Sequence, residues 1–218
     1  MPKKTFLNLS LERQNKIIDV ALNEFSLHNF ETASINKIIN ELSIAKGSFY
    51  RYFQNKEDLY SYLLDYALNK KIDYLEKNIN VTSGDFFQIY RNTVFNYMRF
   101  DLTFPTISEF LRMAVENKYI EKTKVLNSLH GKTFIRDLVL KGQEDGEVKK
   151  SLDIDFIILC IMNLSETMLN YINLKQGISY KELLKIMEGK TSLHRNELET
   201  AFEQLISVLT TGLKPVKA

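Results

Sequence analysis

From Leu42 to Lys56 the chain carries three cations, Lys46, Arg51 and Lys56, and no acidic residue. Residues of this type and spacing suit the binding of a polyanion. Lys46, Gly47 and Ser48 fall at the start of a short helical stretch, where free amides and the helix dipole favour phosphate. Gly47 lets another backbone approach closely. Tyr50, Arg51 and Tyr52 add hydroxyl and guanidinium donors that can reach phosphates and base edges. Phe49 and Phe53, four residues apart, can pin the same stretch to a core.

Other chemistry is not signalled. The sequence has no phosphate-binding glycine loop, no Gly-x-Ser-x-Gly elbow and no His-Glu-x-x-His, so neither an enzyme nor a cofactor is expected. His28, His130 and His194 lack metal-ligand spacing, and no metal site is expected. Cys160 stands alone, which excludes an internal disulfide, suits a reducing cytosol and reads as a small buried hydrophobe.

The elements that must hold the basic run are helical. The chain has 218 residues, of which 44% are apolar, 8 are Gly and 3 are Pro. That composition favours helix and affords a sizeable core. The net charge is only +2, so any nucleic-acid contact has to be local. The start of the chain shows no apolar signal core. The longest apolar run, Phe156 to Met162, is far shorter than the ~20 residues a membrane span needs, and a cytoplasmic protein without membrane contact is expected.

Ser10 is placed to cap a first helix with Ile17, Ile18, Ala21, Leu22 and Phe25 on one face, ending near His28. Ser34 caps a second, two-turn helix through Leu42. A break at Ser43-Ile44 leads into a third, Lys46 to Phe53. Asn55 caps a fourth, with Asp58 placed to reach back as in a capping box, and its pattern runs to about Leu75. Asn78 to Gly84 reads as a loop. Further helices are expected at about Asp85 to Arg99, Pro105 to Asn117, Ile120 to Lys141, Asp153 to Lys175, Tyr180 to Met187 and Asn196 to Thr211. Gly142 to Gly146 reads as the clearest turn, Gly189 to Leu193 as a loop, and Gly212 as the end of the last helix. No segment alternates with period two. The fold class is all-α: a helix-turn-helix domain over 1–55, a connecting helix over 56–78, and a larger helical domain over 79–218.

Two short helices joined by a tight turn form the architecture that places a second helix in the DNA major groove. The run Ile44-Ala45-Lys46-Gly47-Ser48-Phe49-Tyr50-Arg51-Tyr52-Phe53, followed by Asn55-Lys56-Glu57-Asp58-Leu59, resembles the signature of the TetR/AcrR family of bacterial regulators. Ile17-Ile18-Asp19-Val20-Ala21-Leu22-Asn23-Glu24-Phe25 is similar to that family's first helix. The likeness covers roughly residues 10 to 65, and beyond it only the length, helicity and the ending Val208-Leu209 to Gly212-Leu213-Lys214-Pro215 are similar. Two positions depart. Ser43 stands where the family usually has Gly in the turn, and Ala45 where it often has a Ser or Thr cap.

The resemblance implies a transcription regulator that binds double-stranded DNA. Carried over by position, Ser34, Lys46, Ser48, Tyr50, Tyr52 and Lys56 would hold phosphates. Asn36, Lys37 and Arg51 would reach bases or backbone, and Ala45 and Gly47 complete the interface. It also implies a homodimer joined through Asp153–Lys175 and Asn196–Thr211, and a small-molecule effector bound in the larger domain. The aromatic cluster from Phe86 onward makes a hydrophobic pocket with polar tips the expectation there. Phe87, Tyr90, Phe95, Phe104, Phe110, Phe134 and Glu166 are its candidate residues. A repressor released by a hydrophobic or amphipathic ligand is the leading reading. A ligand-dependent activator or corepressor-type regulator, and a helical interaction protein that leaves its hairpin unused, stay open.

Overall fold

The structure is a computed structural model, and it describes residues 2–79, 84–116, 131–179, 182, 185, 186, 191 and 195–213. Every extended element among them is a helix. Their starts follow local chemistry. The Ser10 hydroxyl accepts the Arg13 N–H at 3.4 Å at the head of α2 (Leu11–Leu27), and the Ser34 hydroxyl accepts the Lys37 N–H at 3.3 Å at the head of α3 (Ile35–Glu41). α4 (Lys46–Tyr52) begins at Ala45 with no side-chain cap. Ahead of α5 (Lys56–Asn78), Asn55 Oδ1 accepts the Asp58 N–H at 2.8 Å, and Asp58 Oδ2 accepts the Gln54 N–H at 3.0 Å. The capping box therefore closes one residue earlier than its standard form.

The described residues within Met1–Ile72 and Phe104–Leu129 make one compact unit, and those within Asp73–Thr103 and His130–Ala218 another. The sequence-based division at 55 and 78 follows element boundaries. The packing divides α5 after Ile72 and returns α7 (Pro105–Glu116) to the first unit. The reason is aromatic. Phe110 of α7 is buried against Phe25 of α2 and Tyr60 of α5, with ring centroids 6.3 and 5.2 Å away. Phe25 and Tyr60 themselves meet edge-on at 5.0 Å.

The first unit also contains a helix that the sequence pattern did not signal, α1 (Lys4–Leu7). Phe6 is 0% exposed and packs on Tyr52, Phe53 and Tyr62. Four residues are too few to display a helical period, so only Phe6 could have marked it.

The second unit is built on α6 (Phe86–Thr103), α8 (Gly131–Glu144), α9 (Ile154–Gln176) and α10 (Arg195–Leu213). Its core includes Phe86, Ile89, Val139, Ile157, Ile161 and Phe202. Asp153 caps α9 by accepting the Phe156 N–H at 2.9 Å, and Gly177 ends it in the left-handed region at φ 63°.

Two expectations about glycine are corrected. Gly142 is helical and the turn starts only at Asp145; a Cβ on Gly142 would stand 2.9 Å from Val148 Cγ2 and 3.0 Å from Phe86 Cδ2. Close packing rather than turning explains that glycine. Gly212 lies inside α10, whose final carbonyls are taken up externally: Lys149 Nζ donates to Gly212 O at 2.8 Å and Lys149 N to Leu213 O at 2.6 Å. The expected front of the helix at 120–130, most of 180–187, the loop at 189–193 apart from 191, and His130 and His194 lie outside the described residues. None of the described helices is long and apolar enough to cross a membrane.

Candidate nucleic-acid interface

The turn between α3 and α4 takes its shape at Ser43, which sits at φ 52°. A left-handed residue is what the pattern required there, and Ser accepts it at a steric cost that Gly would avoid. Ser43 N donates to Asn40 O at 3.0 Å and Ile44 N to Ile39 O at 3.2 Å, so the reversal is hydrogen-bonded throughout.

α4 is amphipathic over two turns. Phe49 and Phe53 are buried and lie 5.9 Å apart, as their spacing implied. Lys46, Gly47, Tyr50 and Arg51 are exposed, with Tyr50 44% open to solvent. Tyr50 is steadied edge-on by Phe49 at 5.2 Å. Ser48 and Tyr52 are half-buried. The site therefore presents an ammonium, a bare glycine, a phenol and a guanidinium from one short, anchored helix.

The remaining residues of the set divide by what they touch. Asn36 is exposed on α3, and Ala45 is exposed at the head of α4. Ser34 is occupied as a helix cap, and its own N–H donates to Glu24 Oε1 at 2.9 Å. Lys37 Nζ lies 2.8 Å from Glu24 Oε2. Lys56 Nζ donates to Glu31 O at 3.2 Å and sits 5.0 Å above the Phe30 ring. Ser34, Lys37 and Lys56 thus carry structural contacts beside any role toward DNA.

Glu24 is the residue that sequence reasoning missed. It is 4% exposed and ties α2 to the head of α3. Burial pushes its carboxyl up, but the Lys37 and Ser34 hydrogen bonds and the charges of Lys37 and His28 outweigh that and hold it below the usual carboxylate range. Lys37 lies far along the chain from Glu24 and outside any helical spacing, so no local rule connects them.

The expected pocket residues do not all share one unit. Phe104 and Phe110 belong to the first, where Phe110 is core and Lys70 Nζ stands 5.4 Å from the Phe104 ring. Phe87, Tyr90 and Phe95 belong to the second. Tyr90 is buried, and its hydroxyl donates to Ile161 O at 3.0 Å. Phe95 packs on Phe202 at 4.5 Å, with the Arg91 guanidinium about equally close to both rings, at 5.5 and 5.4 Å. Phe134 lies on α8 and Glu166 on α9, and their side chains are outside the described set. Among the described residues, no three or more His, Cys, Asp or Glu side chains gather as a metal site would require.

Residues 17–63 match the family described as bacterial regulatory proteins, tetR family. The chain is 25% identical over 142 residues to the fatty acid metabolism regulator protein of Bacillus subtilis, covering 64% of this chain and 72% of that protein. Among solved structures, it is similar to a TetR family transcriptional regulator from Chloroflexus aurantiacus, with a TM-score of 0.72 and 28% identity over 99% of this chain and 100% of that one. It also shares its fold with FadR from Bacillus subtilis in complex with stearoyl-CoA, at a TM-score of 0.66 and 17% identity over 88% of this chain and 97% of that one.

Proposed function

Because this chain belongs to the TetR family of bacterial regulatory proteins, we propose that it is a homodimeric repressor that an amphipathic ligand releases from a palindromic operator. The observation that carries the reading is α4. Its buried Phe49 and Phe53 fix the helix, and its exposed Lys46, Gly47, Tyr50 and Arg51 offer donors to phosphate and base edges. Asn36, Ala45 and Ser48 border that face. Lys37 and Lys56, already paired within the fold, contribute charge and orientation.

A long exposed face supports the dimer. On α9, Phe156, Leu159, Asn163, Thr167, Tyr171 and Leu174 recur at helical spacing and are all exposed, Leu174 at 83% and Phe156 at 59%. Val208 is exposed on α10, which packs on α9. Large apolar side chains left open at both ends of one helix face, Phe156 and Leu159 at one and Tyr171 and Leu174 at the other, suit a surface that another chain covers. With two-fold symmetry, the reading helices would enter major grooves about 34–36 Å apart.

The similarity to a fatty acid metabolism regulator, and to a fold that holds stearoyl-CoA, supports an acyl chain with a polar headgroup as the effector class. α5 contributes to both units, through Ile72 to the first and from Asp73 to the second, and so offers a covalent route for the response. The ligand acts only through its different affinity for the DNA-bound and released states.

The test is selection of bound duplexes from a random pool, followed by titration of the complex with stearoyl-CoA, stearate or CoA alone. A palindrome and its release by stearoyl-CoA are the expected results. Tighter binding with ligand would replace repressor release by a corepressor mechanism. No enrichment of any duplex would overturn the regulator reading.

A further inference from the structure

We infer that the Lys3–Phe6 segment is the C-terminal cap of the DNA-reading helix, and that Lys3 and Thr5 are positioning residues for DNA binding. The inference rests on the proposed role of α4 and adds what holds it in place. A helix leaves its last four carbonyls without intrahelical partners. In α4, Phe49 O accepts the Phe53 N–H at 3.0 Å. The other three are taken by a segment more than forty residues away in sequence. Lys3 Nζ donates to Tyr50 O at 2.8 Å, the Thr5 hydroxyl donates to Arg51 O, and Lys3 N donates to Tyr52 O at 2.9 Å. The Lys3 ammonium also lies where a helix dipole favours positive charge.

The contrast within α4 gives this its meaning. The head of the helix, at Ala45, has no side-chain cap. Seven residues are too few for a helix to persist in water without help. Beside the buried Phe49 and Phe53, it is held at its tail, at the carbonyls of Tyr50 and Arg51, whose side chains are exposed. Phe6 reinforces the grip, tilted on Phe53 at 4.9 Å and edge-on to Tyr62 at 5.3 Å. The clamp is itself anchored, because Gln14 Nε2 of α2 donates to Leu7 O at 3.2 Å and to Leu9 O at 2.9 Å. A chain of hydrogen bonds thus runs from α2 through α1 to the reading helix.

Thr5 separates positioning from direct contact, since Thr5→Val removes a hydroxyl on an exposed side chain and no charge. Amide hydrogen exchange of the DNA-free protein and fluorescence anisotropy with operator DNA at several salt concentrations are measured for wild type, Thr5→Val and Thr5→Ser. In Thr5→Val, amides of 46–53 should exchange about five- to tenfold faster, while those of α2 and α3 stay unchanged. Operator affinity should fall about five- to tenfold with an unaltered salt slope, and Thr5→Ser should restore both. Wild-type exchange in Thr5→Val overturns the cap. Faster exchange with unchanged affinity, a changed salt slope, or no rescue by serine overturns the positioning role. If the wild type binds no DNA, the regulator reading fails, and the exchange measurement alone then decides the cap.

Discussion

A Cβ placed on Gly47 would find nothing within 4 Å, so neither packing nor backbone conformation demands a glycine there. What it leaves is room for an approaching backbone from outside the protein. Gly47→Ala should therefore leave folding unharmed or raise stability by about 0.5–1 kcal/mol, because alanine is the better helix residue. Operator affinity should drop about tenfold or more by steric exclusion at the interface. Thermal unfolding and anisotropy on the same sample check both halves, and undiminished affinity would mean that DNA does not come close at this point. Glu24 makes the opposite case, a residue whose cost falls on the fold. Its carboxyl is held below the ordinary value of 4.5, so its contribution is complete above that value and lost as pH falls through the lowered one. Glu24→Gln should cost about 1–3 kcal/mol near neutral pH, and the gap to wild type should close in acid. Urea midpoints at pH 7 and pH 3 read this directly. Caps such as Ser10, Ser34 and Asn55 were legible because they act within three residues. Glu24 was not, because its hydrogen-bond partners Ser34 and Lys37 arrive from another element.

At the scale of elements, amphipathic periods marked the longer helices well, and the tight turn announced itself by its neighbours even with Ser43 in place of glycine. Helix ends were less legible: α6 runs to Thr103, a few residues beyond the pattern. Gly142 and Gly212 look like stops in sequence. Both are helical: Phe86 and Val148 leave no room for a Cβ at the first, and Lys149 takes up the carbonyl of the second. The unusual element is α9, on which Phe156, Leu159, Tyr171 and Leu174 are exposed apolar residues. Leu159→Glu with Leu174→Glu adds charge among them without touching the core residues Ile157, Ile158 and Ile161. Sedimentation should show a shift from dimer to monomer at micromolar concentration, with helical content retained. A double variant that stays dimeric would place the interface elsewhere. Because a palindrome needs both halves, the same variant should also bind operator more weakly.

For the whole molecule, a net charge of +2 forbids a general electrostatic hold on DNA. If α4 reads the DNA, the few cations around it carry the electrostatic part of binding, and its salt dependence should count them. The sequence carried that much, since fifteen residues without an acid are visible in any reading of it. The packing groups the chain along other lines than the order of its elements. Phe104 and Phe110 look continuous with the aromatics of α6, yet they join α2 and α5 because Phe25 and Tyr60 face Phe110. Effector chemistry is less legible still: the Tyr90 hydroxyl donates to Ile161 O across the second unit, a contact that no local pattern announces. The most direct measurement is anisotropy of a selected operator with wild type, Lys46→Ala and Tyr50→Ala, each shown by sedimentation and circular dichroism to be a folded dimer. Each substitution should weaken binding by about tenfold to a hundredfold, with Lys46→Ala lowering the salt slope by about one per half-site and Tyr50→Ala leaving it unchanged. Wild-type affinity in both variants would contradict the assignment of α4 as the DNA-reading helix.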